Sequence, residues 1–245
     1  MSNIRALIFD FDGLILDTEG PLFQSWQELY QSYGCELSLS DWVNILGTYE
    51  ASFDPEAELE RQTGKSLDWP RIAPQRRQRE EDLLADKTAM PGVKDYLEEA
   101  QRLGLMLGVA SSSPCDWVTG HLSRLGLYGY FDLIRAKDDV RVTKPDPELY
   151  LAVLKAMDKQ PEQAVVFDDS PNGIRAARRA GIFCIAVPND LTCKLPLDEA
   201  DMRLDSLAEI SLEELLRKID AIKGHSPANL KNDQAQGKEV QGRIS

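Results

Sequence analysis

The stretch ALIFDFDGLILDTEG, residues 6–20, sets four carboxylates, Asp10, Asp12, Asp17 and Glu19, directly behind an apolar run. Asp10 and Asp12 stand two residues apart, and on an extended segment that spacing turns both side chains to one face. Two like charges held side by side cost energy unless a cation binds there or one carboxyl keeps its proton. Further polar clusters accompany later apolar runs: Ser111, Ser112 and Ser113 behind LMLGVA, Lys144 in TKPDP, and Asp168, Asp169 and Ser170 behind AVVF. Four carboxylates brought together, Asp10, Asp12, Asp168 and Asp169, demand a cation. Oxygen ligands without His or Cys select a hard one, and Mg2+ fits best. A magnesium ion, a lysine and a serine hydroxyl make a site for a phosphoryl group. A carboxylate facing the phosphorus can attack it. A second carboxyl, kept protonated by its like-charged neighbour, can hand that proton to the leaving alkoxide.

Other chemistries have little to draw on. The chain has two histidines, His121 and His225, and four cysteines, Cys35, Cys115, Cys184 and Cys193, with no paired metal-type spacing. A formal net charge of −13 over 245 residues argues against nucleic acid or an anionic membrane as the main partner. The apolar run at the start is broken by Asp10, too short for a signal-peptide core or a membrane span. Free thiols and a cytoplasmic location are therefore expected.

The elements that must position these residues read in two textures. Residues 4–9 (IRALIF) predict a buried strand. Helices are predicted over residues 21–33, 40–46, 54–63 and 74–86, so that residues 17–87 form a small helical bundle. From residue 93 the pattern alternates: helix to 103, strand 105–110, helix 114–125, a short strand near 132–136, helix 146–157, strand 164–167, helix 171–180, strand 182–187, and a last helix 211–222. Such alternation implies βαβ units and a parallel sheet. The expected fold is a doubly wound α/β core, residues 1–16 and 88–223, interrupted by the helical domain 17–87 and followed by a disordered tail, 224–245. In these sheets ligands bind at the carboxyl ends of the strands, and each polar cluster named above lies at such an end or in the loop after it.

On those residues the chain resembles the haloacid dehalogenase-like phosphohydrolases. DFDGLILDTE is similar to their first motif, Asp-x-Asp-Gly-x-x-x-Asp-(Ser or Thr)-Glu; VASSS resembles the second, KPDPELY the third and VVFDDSPNG the fourth. Order and spacing match from residue 4 to about 188. The helical insert sits where the helical-cap subgroup, which includes β-phosphoglucomutase and phosphoglycolate phosphatase, carries its cap. The resemblance implies that Asp10 is the nucleophile and a magnesium ligand. It implies that Asp12 is the general acid and then the base that activates water, with its backbone carbonyl facing the metal. Ser111, with Ser112 beside it, and Lys144 would hold the phosphoryl oxygens, Lys144 also orienting Asp10. Asp168 and Asp169 would complete the metal site. Asp17 and Glu19 are expected to start the first cap helix and form the hinge.

The same resemblance narrows the activity. An acid at Asp12 points to phosphoryl transfer, because dehalogenases protonate no alkoxide. β-Phosphoglucomutase, the main alternative, uses a histidine early in the first cap helix and an arginine in the cap loop. Here Leu22 stands near the first place, and Tyr49 and Glu50 near the second. Hydrolysis of a small phosphorylated metabolite by a monomeric enzyme is expected, with Gly47, Thr48 and Tyr49 of the cap loop selecting the substrate. An inactive binding protein would need a broken nucleophile, acid or metal ligand, and none is broken.

Overall fold

The structure is a computed structural model and describes residues 3–42 and 53–224. Gly47, Thr48, Tyr49 and Glu50, and the expected tail from residue 225 on, lie outside the described residues.

Among these residues six strands form one parallel sheet: β1 (Ala6–Phe9), β2 (Met106–Ala110), β3 (Leu133–Arg135), β4 (Ala164–Asp168), β5 (Phe183–Ala186) and β6 (Met202–Arg203). Their order across the sheet is β3-β2-β1-β4-β5-β6. β1 lies between β2, where Ala6 pairs with Met106, and β4, where Phe9 pairs with Phe167. Strand order reverses between β1 and β4, which opens a crevice beyond their carboxyl ends. The strands read as near-continuous apolar runs because both faces of the sheet are covered. On one face Leu7, Phe9, Val109 and Phe167 pack against α5 (Val93–Arg102), α6 (Cys115–Arg124) and α9 (Leu212–Gly224). On the other Ala6, Ile8, Val166 and Cys184 meet α7 (Glu148–Met157) and α8 (Pro171–Arg179).

Between β1 and β2 the chain leaves the sheet for α1 (Glu19–Ser32), α2 (Leu39–Trp42), α3 (Pro55–Thr63) and α4 (Trp69–Ala85). This insert has its own apolar cluster, centred on Phe23, Trp26, Tyr30, Trp42 and Leu59. Its two connections to the sheet run side by side: the Met90 amide donates to the Ile15 carbonyl at 2.9 Å, and Lys87 pairs with Asp17 at 2.6 Å.

Most predicted ends shift by one or two residues. The end predicted at residue 46 lies outside the described residues, and the exception among the rest is α4, which starts at Trp69 rather than at residue 74. Pro70 falls in the first turn, where its missing N–H removes nothing the helix would use. Pro74 then lies inside the helix at the loss of one backbone bond. β6 was not anticipated; two residues are too few to leave a pattern.

Candidate active site

Asp10 is the first residue past β1, fixed by its amide donating to the Phe167 carbonyl at 2.9 Å. The chain then turns at Gly13, whose φ of +80° suits glycine. A Cβ there would also run into the Asp169 carboxylate and the Asn189 amide. Lys144, buried and carried in the loop before α7, reaches across to donate to Asp10 Oδ1 at 2.6 Å and to Asp168 Oδ2 at 2.9 Å. Asp168 ends β4 and is fully engaged. Its Oδ2 also accepts from the Tyr150 hydroxyl at 2.6 Å, and its Oδ1 accepts from the Ser170 amide and hydroxyl, both at 2.9 Å. Gly173, in the first turn of α8, leaves the space that Asp168 occupies. Asp169 accepts at Oδ2 from Asn189 at 2.8 Å.

Asp12 faces the same crevice but is tied to the other side. Its Oδ2 accepts from Ser113 at 2.7 Å and Ser111 at 3.3 Å, and its Oδ1 accepts from the Trp117 indole N–H at 2.9 Å. Ser111 therefore turns its hydroxyl to Asp12, and accepts from the Ser113 amide at 3.0 Å. Ser112 lines the crevice with a buried hydroxyl that has no partner among the described residues, an expensive state for a polar group unless a ligand supplies one.

The charges are out of balance. Burial, more than its carboxylate neighbours, pushes the Asp10 carboxyl up to about 7 against the pull of Lys144. Burial and the adjacent Asp168 and Asp10 hold Asp169 well above the usual carboxylate range. Burial works against the Lys144 charge, but Asp10 and Asp168 outweigh it and keep its pKa above that of a free lysine. Oxygens of Asp10, Asp168 and Asp169 all lie within 4.8 Å of one another. An all-oxygen set, buried and short of positive charge, fits a hard divalent cation. Within it Asp10 and Asp169 have acceptor capacity left, whereas four donors already occupy Asp168.

The sequence-predicted residues Asp10, Asp12, Ser111, Ser112, Lys144, Asp168 and Asp169 thus come together at one edge of the sheet. Of the two acids expected to form a hinge, Asp17 lies between the sheet and α1, bonded to Lys87. Glu19 starts α1 as expected and also lines the crevice, where burial and then Asp12 and Asp10 push its carboxyl up to about 8. The crevice is a cavity of about 950 Å3, and Leu22, Trp42, Phe53, Trp117 and His121 line its upper walls. Ser113 was named with its serine cluster but given no role, and sequence reasoning missed Trp117, Tyr150 and Asn189. Tyr150 lies six residues past Lys144 in the same motif and could have been suspected. Nothing in the spacing of Trp117 or Asn189 points to the site.

Known proteins resemble the chain over most of its length. A profile for haloacid dehalogenase-like hydrolases matches residues 7–187. The protein YhcW of Bacillus subtilis is 44% identical over 218 residues, 89% of this chain and 99% of its own. A phosphorylated carbohydrates phosphatase of Thermotoga maritima is 34% identical over 181 residues, 73% of this chain and 82% of its own. A crystal structure of a variant of CbbY from Rhodobacter sphaeroides, in complex with xylulose-(1,5)bisphosphate, superposes with a TM-score of 0.70 at 31% identity, covering 86% of this chain and 99% of that one. With the profile running from β1 to β5 through the insert and all four motifs, the chain belongs to the haloacid dehalogenase-like hydrolase family.

Proposed function

We propose that this protein is a magnesium-dependent phosphatase that hydrolyses the phosphate monoester of a sugar or similar small metabolite through an aspartyl-phosphate on Asp10. The observation that carries the reading is the pairing of Asp10 with Asp12 across one crevice: Asp10 is held on Lys144 at 2.6 Å, and Asp12 is held apart by donors of its own. Relatives named as phosphatases of phosphorylated carbohydrates support the substrate class.

Each residue has a task that its surroundings suit. Asp10, Asp169 and the Asp12 carbonyl would hold Mg2+, with Asp168 beside them turned to Lys144. The bound cation would neutralise phosphoryl oxygens and lower the crowding of negative charge. Lys144 and the Ser112 hydroxyl would grip the phosphoryl group. The Asp10 carboxylate attacks phosphorus, and the bond from phosphorus to the ester oxygen breaks. Asp12 gives its proton to that oxygen, which leaves as an alcohol. Asp12, now ionised, takes a proton from water, whose oxygen attacks the aspartyl-phosphate. Inorganic phosphate leaves, and Asp10 is restored. The helical insert, which we take as a cap spanning residues 17–87, would close over the crevice, and its Glu19, Leu22, Trp42 and Phe53 would meet the leaving group. Gly47, Thr48 and Tyr49 belong to the same proposed cap. The acids, lysine and serines of the crevice all come from one chain, which suits a monomer, and the four unpaired cysteines suit a cytoplasmic setting.

A mutase would have to grip a second phosphate and shield the aspartyl-phosphate from water. Leu22 lines the crevice near the point where the resemblance to β-phosphoglucomutase calls for a histidine, which favours hydrolysis. The test is a panel of sugar and metabolite phosphates with Mg2+. Phosphate release that is lost on chelation, and reduced by at least about a thousandfold in Asp10→Asn, is expected. An Asp10→Asn protein with full activity refutes the assignment. β-Glucose 1-phosphate converted to glucose 6-phosphate rather than glucose would establish the mutase instead.

A further inference from the structure

The loop and helix that follow β2 present three donors to a single acceptor. Ser111, Ser113 and Trp117 all bond Asp12, and no other residue in this segment has its side chain on a candidate catalytic acid among the described contacts. The serine hydroxyls and the indole differ in one respect. A hydroxyl can donate or accept as it rotates, whereas an indole N–H only donates. Asp12 Oδ1, at 2.9 Å from Trp117 Nε1, is therefore held as an acceptor in either protonation state. Oδ2, facing only hydroxyls, is the oxygen free to carry a proton toward the crevice.

The indole itself is well seated. Trp117 is the third residue of α6 (Cys115–Arg124), and the His121 ring, one turn on, meets it edge-on at 4.3 Å between centroids. His121 in turn lies against Phe11, with ring centroids 6.3 Å apart, and Phe11 is the fully buried residue between Asp10 and Asp12. The chain from Asp12 through Trp117 and His121 to Phe11 thus returns to the strand end from which Asp12 projects.

We infer that Trp117 is a positioning residue for the reaction: its N–H locks the Asp12 carboxyl so that Oδ2 is aimed at the ester oxygen. The inference rests on the phosphatase reading above, with Asp12 as the group that protonates the leaving oxygen. Misplacement of a proton donor by about 1 Å can cost on the order of a hundredfold in rate. That cost falls only on esters whose leaving oxygen needs the proton.

Three esters of similar shape provide the test: 4-nitrophenyl, phenyl and benzyl phosphate, whose leaving oxygens are increasingly basic. kcat/KM, which reports the step that releases the alcohol, is measured with Mg2+ for the wild type and Trp117→Phe, which keeps an aromatic ring but loses the N–H. The expected result is a loss that grows along the series, at least about tenfold larger for benzyl than for 4-nitrophenyl phosphate. A uniform loss, or none, overturns the inference, since a merely structural role lowers all three alike. Wild type inactive on all three overturns the phosphatase reading and this inference with it. A second measurement does not depend on the variant folding well. Among the indole 15N–1H resonances of Trp26, Trp42, Trp69 and Trp117, that of Trp117 is expected to move upfield in Asp12→Ala while the other three stay. An unmoved Trp117 resonance overturns the hydrogen bond on which the inference stands.

Discussion

Among the described residues, Lys144 is the one cation bonded to the buried acids of the crevice floor. It is bonded to Asp10 and Asp168, and its ammonium also lies 5.0 Å from the centre of the Tyr150 ring. A buried ion pair gains little over a well-packed apolar substitute, yet removing one partner alone is costly, because the other stays buried without a counter-charge. Lys144→Met should therefore destabilise the cation-free protein by about 3–5 kcal/mol, read from urea unfolding, with phosphatase activity lost as well. A stability within about 0.5 kcal/mol of wild type would mean that Asp10 and Asp168 are not held by the lysine. At this scale the sequence was informative about residues that carry charge. Asp10, Asp12, Lys144, Asp168 and Asp169 announce themselves because unpaired ions behind apolar strands need a reason. Trp117, Tyr150 and Asn189 do not. An aromatic or amide side chain has an ordinary place in any helix or loop, and its bond to an acid depends on a meeting in space that spacing along the chain does not encode.

At the scale of elements, the question is how the insert is seated on the sheet. Two short segments carry the connection, and they are bridged by Leu16, which pairs with Ala89, and by the ion pair of Asp17 with Lys87. That pair is partly exposed, with side-chain exposures of 26% and 42%, so its contribution to stability is under about 1 kcal/mol. Within the insert, α1 and α4 are joined by Arg79 on Glu28 at 2.7 Å and by Arg76 on the Ser25 hydroxyl at 2.8 Å. Lys87→Ala should thus leave the unfolding midpoint nearly unchanged and act on binding instead, raising KM several-fold while kcat moves less. Steady-state kinetics beside a urea titration separates the two, and a large stability loss with unchanged KM would count against a seating role. The helical insert was legible because its period differs from that of the α/β core. The start of α4 was not, since Pro74 reads as a first-turn proline while Pro70 in fact takes that place.

For the whole molecule the dominant feature is negative charge, −13 overall, and three buried acids, Asp10, Asp168 and Asp169, gather at one end of the sheet. Asp10 at about 7 and Glu19 at about 8 lie well above ordinary carboxyl values, and burial is the main cause for each. A carboxyl raised in the folded state contributes stability at low pH that is lost as pH rises through the folded value. In chelator, Tm should therefore fall between about pH 5 and pH 8. A divalent cation binds the ionised carboxylates, so the rise in Tm on adding Mg2+ should be larger at pH 8 than at pH 5 and should shrink in Asp169→Asn. Scanning calorimetry at the two pH values checks both statements. A Tm insensitive to Mg2+ at pH 8 would exclude the buried acids as its site. The net charge was legible in composition, and the alternation of strands and helices placed the key acids at strand ends, but that Asp10 and Asp168 come within reach of one lysine follows from the pairing of β1 with β4.

That strand order also sets a timetable. β1 is made first, yet it lies inside the sheet, flanked by strands that begin at Met106 and Ala164. A growing chain therefore holds its most apolar strand, and the acids behind it, without lateral partners while more than half of the protein is still to be synthesised. The helical insert, by contrast, has a local core and can fold as soon as it emerges. Asn189, which steadies Asp169, comes after every strand that supplies an acid. The crevice end of the sheet is thus among the last parts of the protein that can exist, and recovery of activity during refolding would time the closure of the whole sheet.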